Sequence, residues 1–189
     1  MTNFDYQTPT RLIFGKDVVE EKLEKVMNLY GKRVLITYGG GSIKRVAPGH
    51  DKSLYDLVKE ILADKELFEL GGIQPNPKFN PSVLDGVRIC QDNSIDVILA
   101  VGGGSVLDCT KAIAGVAGTL KTKVTDNVEE AWDIVCGRKP TTAAVPIVDI
   151  ITMAATGSEY DCGGVISRTQ TNDKIGYIDP LLFPVCSFL

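Results

Sequence analysis

The chain has 189 residues, is 44% hydrophobic and 23% charged, and carries a formal net charge of −4. That mixture can bury a core, and its mild acidity with scattered basic residues excludes a nucleic-acid footprint. No run of about 18 apolar residues is free of charge, so no membrane span is expected. The start, MTNFDYQTPTR, lacks a basic then apolar leader, so no secretory signal is expected and a cytoplasmic location follows.

Residues 10–14 (TRLIF) read as a short strand. In DVVEEKLEKVMNLYGK, Val19, Leu23, Val26 and Tyr30 fall on one helical face, Asp17 and Glu20 have capping-box spacing, and Gly31 supplies a stop. RVLITYGGGS is a β-rich run ending in Gly39, Gly40, Gly41 and Ser42. A polar linker, KRVAPGHDKS, precedes a helix marked by Leu54, Leu57, Val58, Ile61 and Leu62, and then ELFEL reads as a core strand. GGIQPNPKFNP is too rich in Pro and Gly for either element. Asn80 is expected as the cap of the next helix with Pro81 at its first position, and Val83, Leu84, Val87 and Cys90 as its buried face.

IDVILAV is a near-continuous apolar strand, as a parallel sheet covered on both faces requires. Gly102, Gly103 and Gly104 follow, then a helix over about 105–117, with Ser105 and Asp108 at capping-box spacing. A short helix over 128–135, a strand in TTAAVPIV, and β-like pieces GVISRT, KIGYID and VCSFL complete the chain. The alternation gives an α/β class with a mainly parallel sheet.

Two strands end in the same signal, YGGGS and VGGGS. In an open α/β sheet, ligands bind at the carboxyl ends of strands. Glycines there admit a ligand to the backbone, and a following helix offers free N–H groups and the positive end of its dipole. The pair of loops therefore points to nucleotide phosphate, although neither the P-loop nor the usual G-x-G-x-x-G is present. The five cysteines are odd in number and contain no C-x-x-C, which argues for reduced thiols and against a zinc site. His50 is the only histidine, so no imidazole-based metal site can form.

TPTRLIFGK, VLITYGGGSIKR, GGIQPNP, VGGGSVLDCTK, ATGSE and GVISRTQTNDK together resemble the N-terminal half of iron-containing (group III) alcohol dehydrogenases, closest to the NADP-preferring butanol dehydrogenase and aldehyde reductase branch. The resemblance runs over essentially the whole chain. It implies a Rossmann-like α/β domain over residues 1–189 that binds the nicotinamide cofactor. The family's C-terminal all-helical domain holds iron or zinc on an Asp and three His, and hydride passes between the cofactor and an alcohol or aldehyde.

By the resemblance, Gly102, Gly103, Gly104 and Ser105 would hold the pyrophosphate, with Asp108 near the nicotinamide end. Gly40, Gly41 and Ser42 would meet the adenosine ribose and its 2′ substituent, and Asn76 would lie near the adenosine. Thr152, Thr156 and Ser158 would line the pyrophosphate and nicotinamide-ribose side, and Lys174 would reach that ribose. No acid follows the first glycine loop until Asp51, and Lys44 and Arg45 lie close, which favours NADP(H) over NAD(H).

The chain ends at PVCSFL, one residue short of the family's Asp-Pro. The expectation is a truncated protein with the metal domain absent, no catalytic residue, no bound metal and no turnover of its own. It is expected to form a homo-oligomer, with apolar surface exposed near VCSFL. The other readings are a non-catalytic nucleotide-binding remnant that associates with a longer subunit, or a polyol dehydrogenase or dehydroquinate synthase-like lyase on the same scaffold.

Overall fold

The computed structural model describes residues 7–189; MTNFDY, the start of the stretch read for a signal peptide, lies outside the described residues. The strands are β1 (Arg11–Ile13), β2 (Arg33–Tyr38), β3 (Glu66–Leu70), β4 (Val97–Gly102), β5 (Ile147–Ile151), β6 (Gly163–Arg168), β7 (Asp173–Ile178) and β8 (Cys186–Phe188). The helices are α1 (Val18–Met27), α2 (Leu54–Ile61), α3 (Leu84–Asn93), α4 (Gly104–Thr119) and α5 (Val128–Val135). Six strands form one parallel, Rossmann-like sheet in the order β1-β8-β5-β4-β2-β3, and β6 and β7 form a separate antiparallel hairpin.

Alternation along the strands divides the core. Leu35, Ile98, Ala100 and Ile147 face α3, α4 and α5. Val34, Ile36, Leu99 and Val148 face Leu23 and Met27 of α1 and Val58 and Leu62 of α2. Each fully buried Leu, Ile or Met contributes roughly 1.5–3 kcal/mol, so both faces must stay covered. Because β2 feeds α2 on one face and β4 feeds α4 on the other, a crevice opens between their carboxyl ends.

Several local expectations need correction. Asp17 is left-handed (φ 59°), so its side chain caps nothing; a cap needs an extended backbone. The cap that does form is Ser53, inside the stretch read as linker: its hydroxyl accepts the Asp56 N–H at 3.1 Å and donates to the Asp56 carboxylate at 2.6 Å. Asn80 does not cap α3. Residues Phe79–Val83 make a wide turn, with the Val83 N–H reaching Lys78 O at 3.2 Å, and α3 starts only at Leu84. Ser105 lies inside α4, whose cap position is Gly103, and Asp108 is turned elsewhere.

The strand expected in TTAAVPIV begins after Pro146, which has no N–H for the ladder, although its carbonyl accepts Ile98 N–H at 2.9 Å. ELFEL, expected as a core strand, is the half-buried edge strand β3. Near VCSFL, β8 itself lies between β5 and β1 with Cys186, Ser187 and Phe188 buried, and the apolar side chains exposed beside it are Leu12, Phe14 and Leu181.

The buried Asp149 was not singled out by sequence. It lies directly opposite Ser187 in the β5–β8 ladder. Its Oδ2 is 2.6 Å from Ser187 Oγ, which is also 2.8 Å from the Glu159 carbonyl, and its Oδ1 has no partner. One hydroxyl hydrogen cannot serve both acceptors. A proton on Asp149 resolves this: the carboxyl donates to Ser187 and Ser187 donates to Glu159 O. Burial pushes the Asp149 carboxyl up to about 7, against the pull of Ser187 and Lys111.

A raised folded value means that the folded state binds the extra proton, so stability falls as pH rises from about 4 to about 7. Asp149→Asn keeps the shape of the protonated acid and removes the titration. Its stability advantage over the unaltered chain should grow across that window, by up to about 4 kcal/mol. Urea midpoints of the two proteins measured from pH 4 to pH 8 test this; a constant difference would refute it.

Candidate functional site

The expected residues before and within α4 and after β2, β3 and β5 follow the carboxyl ends of the sheet strands, whereas Lys174 lies on β7 of the separate hairpin. Tyr38 pairs with Val101, and Gly102 with Ile151, so Gly39 and Thr152 follow strands that flank Gly102. The Thr152 N–H donates to Gly102 O at 3.0 Å, and the Gly72 N–H to Gly39 O at 3.1 Å, so these loops are tied across the strand ends.

The glycines meet different demands. A Cβ on Gly102 would stand 2.6 Å from Val106 Cγ2, where the first turn of α4 crosses the end of β4. Gly41 has φ 100°, the left-handed region, and starts the turn Ser42–Lys44. Gly40 is exposed with open space around it. At the start of α4 the amides of Gly104 and Ser105 have no intrahelical acceptor by geometry and stand ready for an anion.

Thr156, Ser158 and Asp108 come together against Gly104. Ser158 Oγ donates to Asp108 Oδ1 at 3.3 Å, Thr156 Oγ1 lies 3.4 Å from Ser158 Oγ, and a Cβ on Gly104 would be 3.3 Å from that oxygen. Asp108 Oδ2 accepts the Val165 N–H at 3.0 Å, and Asp108 O accepts the Tyr177 hydroxyl. Burial raises the Asp108 carboxyl above its ordinary value, opposed by these hydrogen bonds and Lys111.

Lys174 and Asn76, expected at opposite ends of a dinucleotide, are in contact: Lys174 Nζ donates to Asn76 Oδ1 at 2.9 Å. Asn76 is left-handed (φ 55°), and the adjoining Pro77 carbonyl accepts the Ser167 N–H at 3.0 Å, which lays this segment along β6. Lys44 is also not free at the rim. Its ammonium donates to the Tyr38 hydroxyl at 3.0 Å and lies over the Tyr38 and Tyr55 rings.

Sequence reasoning passed over Lys111. It is fully buried, and its ammonium donates to Ser158 O (2.8 Å), Asp161 Oδ1 (2.5 Å) and Gly163 O (3.0 Å). A lysine in the midst of an apolar helix, three residues after Asp108, was the available signal.

A cleft of about 780 Å³ lies on the α1–α2 side and takes in Ser42, Arg45, His50, Thr152 and Phe188, but not the second glycine loop. A phosphate-binding reading therefore rests on the strand-end geometry and not on cleft volume. The iron or zinc that the resemblance brings with it does not fit here: among the described residues no three His, Cys, Asp or Glu side chains cluster to hold an ion. No described helix is long and apolar enough to cross a membrane.

Comparison with known proteins adds the following. The model of a family described as "Iron-containing alcohol dehydrogenase" matches residues 9–189. A probable NADH-dependent butanol dehydrogenase of Bacillus subtilis is 47% identical over 191 residues, covering 100% of this chain and 45% of the relative. The NADPH-dependent aldehyde reductase YqhD of Escherichia coli is 37% identical, again over 100% of this chain and 45% of the relative. The solved NADH-dependent butanol dehydrogenase A of Thermotoga maritima superposes with a TM-score of 0.84 at 33% identity, over 100% of this chain and 44% of that one. The chain thus spans about 45% of the length of the curated relatives it matches.

Lys111→Met keeps the buried stem and removes the charge that three oxygens share. It should destabilise the chain by about 1–3 kcal/mol and loosen residues 156–163 selectively. Denaturant midpoints and amide exchange over that segment measure both; an unchanged midpoint with unchanged protection would show that the ammonium holds nothing.

Proposed function

Because the chain belongs to the iron-containing alcohol dehydrogenase family, we propose that it is the nicotinamide-dinucleotide-binding domain, residues 1–189, of an oxidoreductase acting on small alcohols or aldehydes. The observation that carries this is the pair of Gly-Gly-Gly-Ser loops on neighbouring parallel strands at the point where crossovers turn to opposite faces. In this reading Gly102, Gly103, Gly104 and Ser105 receive the pyrophosphate. Gly40, Gly41 and Ser42 receive the adenosine ribose. Thr152, Thr156, Ser158 and Asp108 line the path toward the nicotinamide, whose hydride chemistry the bound cofactor supplies. The Asn76–Lys174 contact supports placing both residues at the nicotinamide-ribose end, so Asn76 leaves the adenosine end assigned to it by resemblance.

The metal-assisted step has no ligand set among the described residues, and no role is assigned to any of them in it. The five free cysteines support a reducing, cytoplasmic setting. The exposed Leu12 and Phe14 in and beside the edge strand β1 support a homo-oligomer.

NADP(H) is the proposed cofactor, because Gly40 and Gly41 leave open space and no acid follows them before Asp51. NAD(H) is the second reading, favoured by the NADH-dependent names of the Bacillus and Thermotoga relatives. Titration of the purified chain with NADPH and NADH, followed by nucleotide fluorescence, separates them. NADPH is expected to bind more tightly. Gly40→Asp, which has room for its side chain, should weaken NADPH about tenfold or more and change NADH little. Equal or tighter binding of NADH by the unaltered chain would reverse the cofactor assignment.

Turnover is a separate matter. The chain alone, with iron or zinc added, is expected to give no steady oxidation of NADPH with a short aldehyde. Steady metal-dependent oxidation, free of host enzymes, would show that this chain makes a site of its own.

A further inference from the structure

Lys44 ends the short turn Ser42–Lys44, its N–H bonded to Gly41 O at 3.1 Å. Its backbone is therefore fixed beside the loop read above as the seat of the ribose. Its side chain is drawn back toward β3. The ammonium lies 4.7 Å from the Tyr38 ring centroid and 4.3 Å from that of Tyr55, and the two rings meet edge to face at 5.7 Å. Both tyrosine hydroxyls then donate to one carboxylate, Glu69 on β3: Tyr38 at 2.9 Å and Tyr55 at 2.8 Å. Lys59 reaches the same carboxylate at 3.2 Å. Gly71 makes the arrangement possible, since a Cβ there would stand 2.5 Å from the Tyr38 ring.

Burial works to raise the Glu69 carboxyl, but hydrogen bonds from Tyr55, Tyr38 and Lys59 outweigh it and hold it below its ordinary value. Glu69 is thus a fixed negative charge that anchors two phenols, and the phenols anchor the Lys44 ammonium.

We propose that Glu69 sets the discrimination between the two nicotinamide dinucleotides by holding Lys44, through Tyr38 and Tyr55, away from the 2′ position of the adenosine ribose. This deepens the dinucleotide reading and rests on it. NADPH carries at that position a phosphate of roughly −1.5 to −2 charge, which competes with the tyrosine–glutamate cage for Lys44. NADH carries a hydroxyl and does not compete. Glu69 therefore lowers affinity for NADPH alone, and its loss frees a cation that only the phosphate can use.

Glu69→Gln keeps an acceptor for the phenols and removes the charge. The ratio of NADPH to NADH affinity should rise about two- to fivefold, the scale of a solvent-exposed ion pair. Lys44→Met should lower the same ratio, and Glu69→Gln added to Lys44→Met should then change it little. NADH serves as the internal standard, because damage to the shared parts of the site moves both affinities together and leaves the ratio alone. Circular dichroism confirms that each variant is folded. An unmoved ratio in Glu69→Gln, with both nucleotides bound by the unaltered chain, overturns this proposal alone. A shift of equal size with and without Lys44 also overturns it. Binding of neither nucleotide by the unaltered chain overturns the dinucleotide reading and this proposal with it.

Discussion

A lysine ammonium with no exposed surface must find oxygen acceptors inside the protein, and Lys111 finds all of its own in one segment, Ser158 to Gly163. The chain leaving β5 is thereby obliged to fold back over the N-terminal half of α4. Asp108, three residues earlier on the same side of the helix, accepts from Ser158 and from the Val165 N–H. A cation and an anion one turn apart thus clamp the same segment by complementary ends. The close seat of Ser158 against Gly104 follows, and so does the position of the β6–β7 hairpin beside α4.

The clamp works only because α4 is itself fixed against the sheet. Thr110 donates to Val106 O at 2.8 Å, so its single hydrogen is used, and the 2.6 Å contact with Thr37 must have Thr37 as donor. This buried bond ties the middle of α4 to β2, the strand that bears the first glycine loop. At the other end of the strands, Asp96 accepts the N–H groups of Lys32 and Arg33 at 2.8 and 2.9 Å, joining the entries of β4 and β2. The two strands whose loops form the crevice are therefore held at both ends by polar contacts as well as by their ladder.

Elements set by periodicity or by continuous apolar runs were legible in the sequence. Helix α5 falls on the residues expected, β4 is the doubly covered strand its composition requires, and the alternation of strand and helix gives the parallel sheet. Caps were not legible. Asp17 and Ser53 are equally good cap residues by type, and only the backbone angle decides that Ser53 caps and Asp17 does not. The polar network was not legible either. Asp149 and Ser187 are 38 residues apart, Tyr38 and Glu69 are 31 apart, and Lys174 and Asn76 are 98 apart. Sheet register and loop closure create these pairs, and neither leaves a periodic trace. The glycine loops stood out because glycine is the residue whose backbone consequences are readable without a partner.

The two Gly-Gly-Gly-Ser loops look alike in sequence and are physically unlike. In the second, a Cβ on Gly102 would stand 2.6 Å from Val106 and one on Gly104 would stand 3.3 Å from Ser158 Oγ, while one on Gly103 would make ordinary contact with Met153, so packing is tightest at Gly102. In the first, Gly40 faces open space, Gly41 is constrained by its positive φ, and a Cβ on Gly39 would stand 3.3 Å from the Ile73 carbonyl oxygen. A closely packed loop under a helix N-terminus suits a group that every ligand of the class carries. An open loop, flanked by a cation, two phenols and a carboxylate, suits the group by which ligands differ. The two loops share Val106, which a Cβ on Gly39 would meet at 3.7 Å and one on Gly102 at 2.6 Å, so Gly40, with open space around it, is where the first loop can change without disturbing Gly102–Gly104.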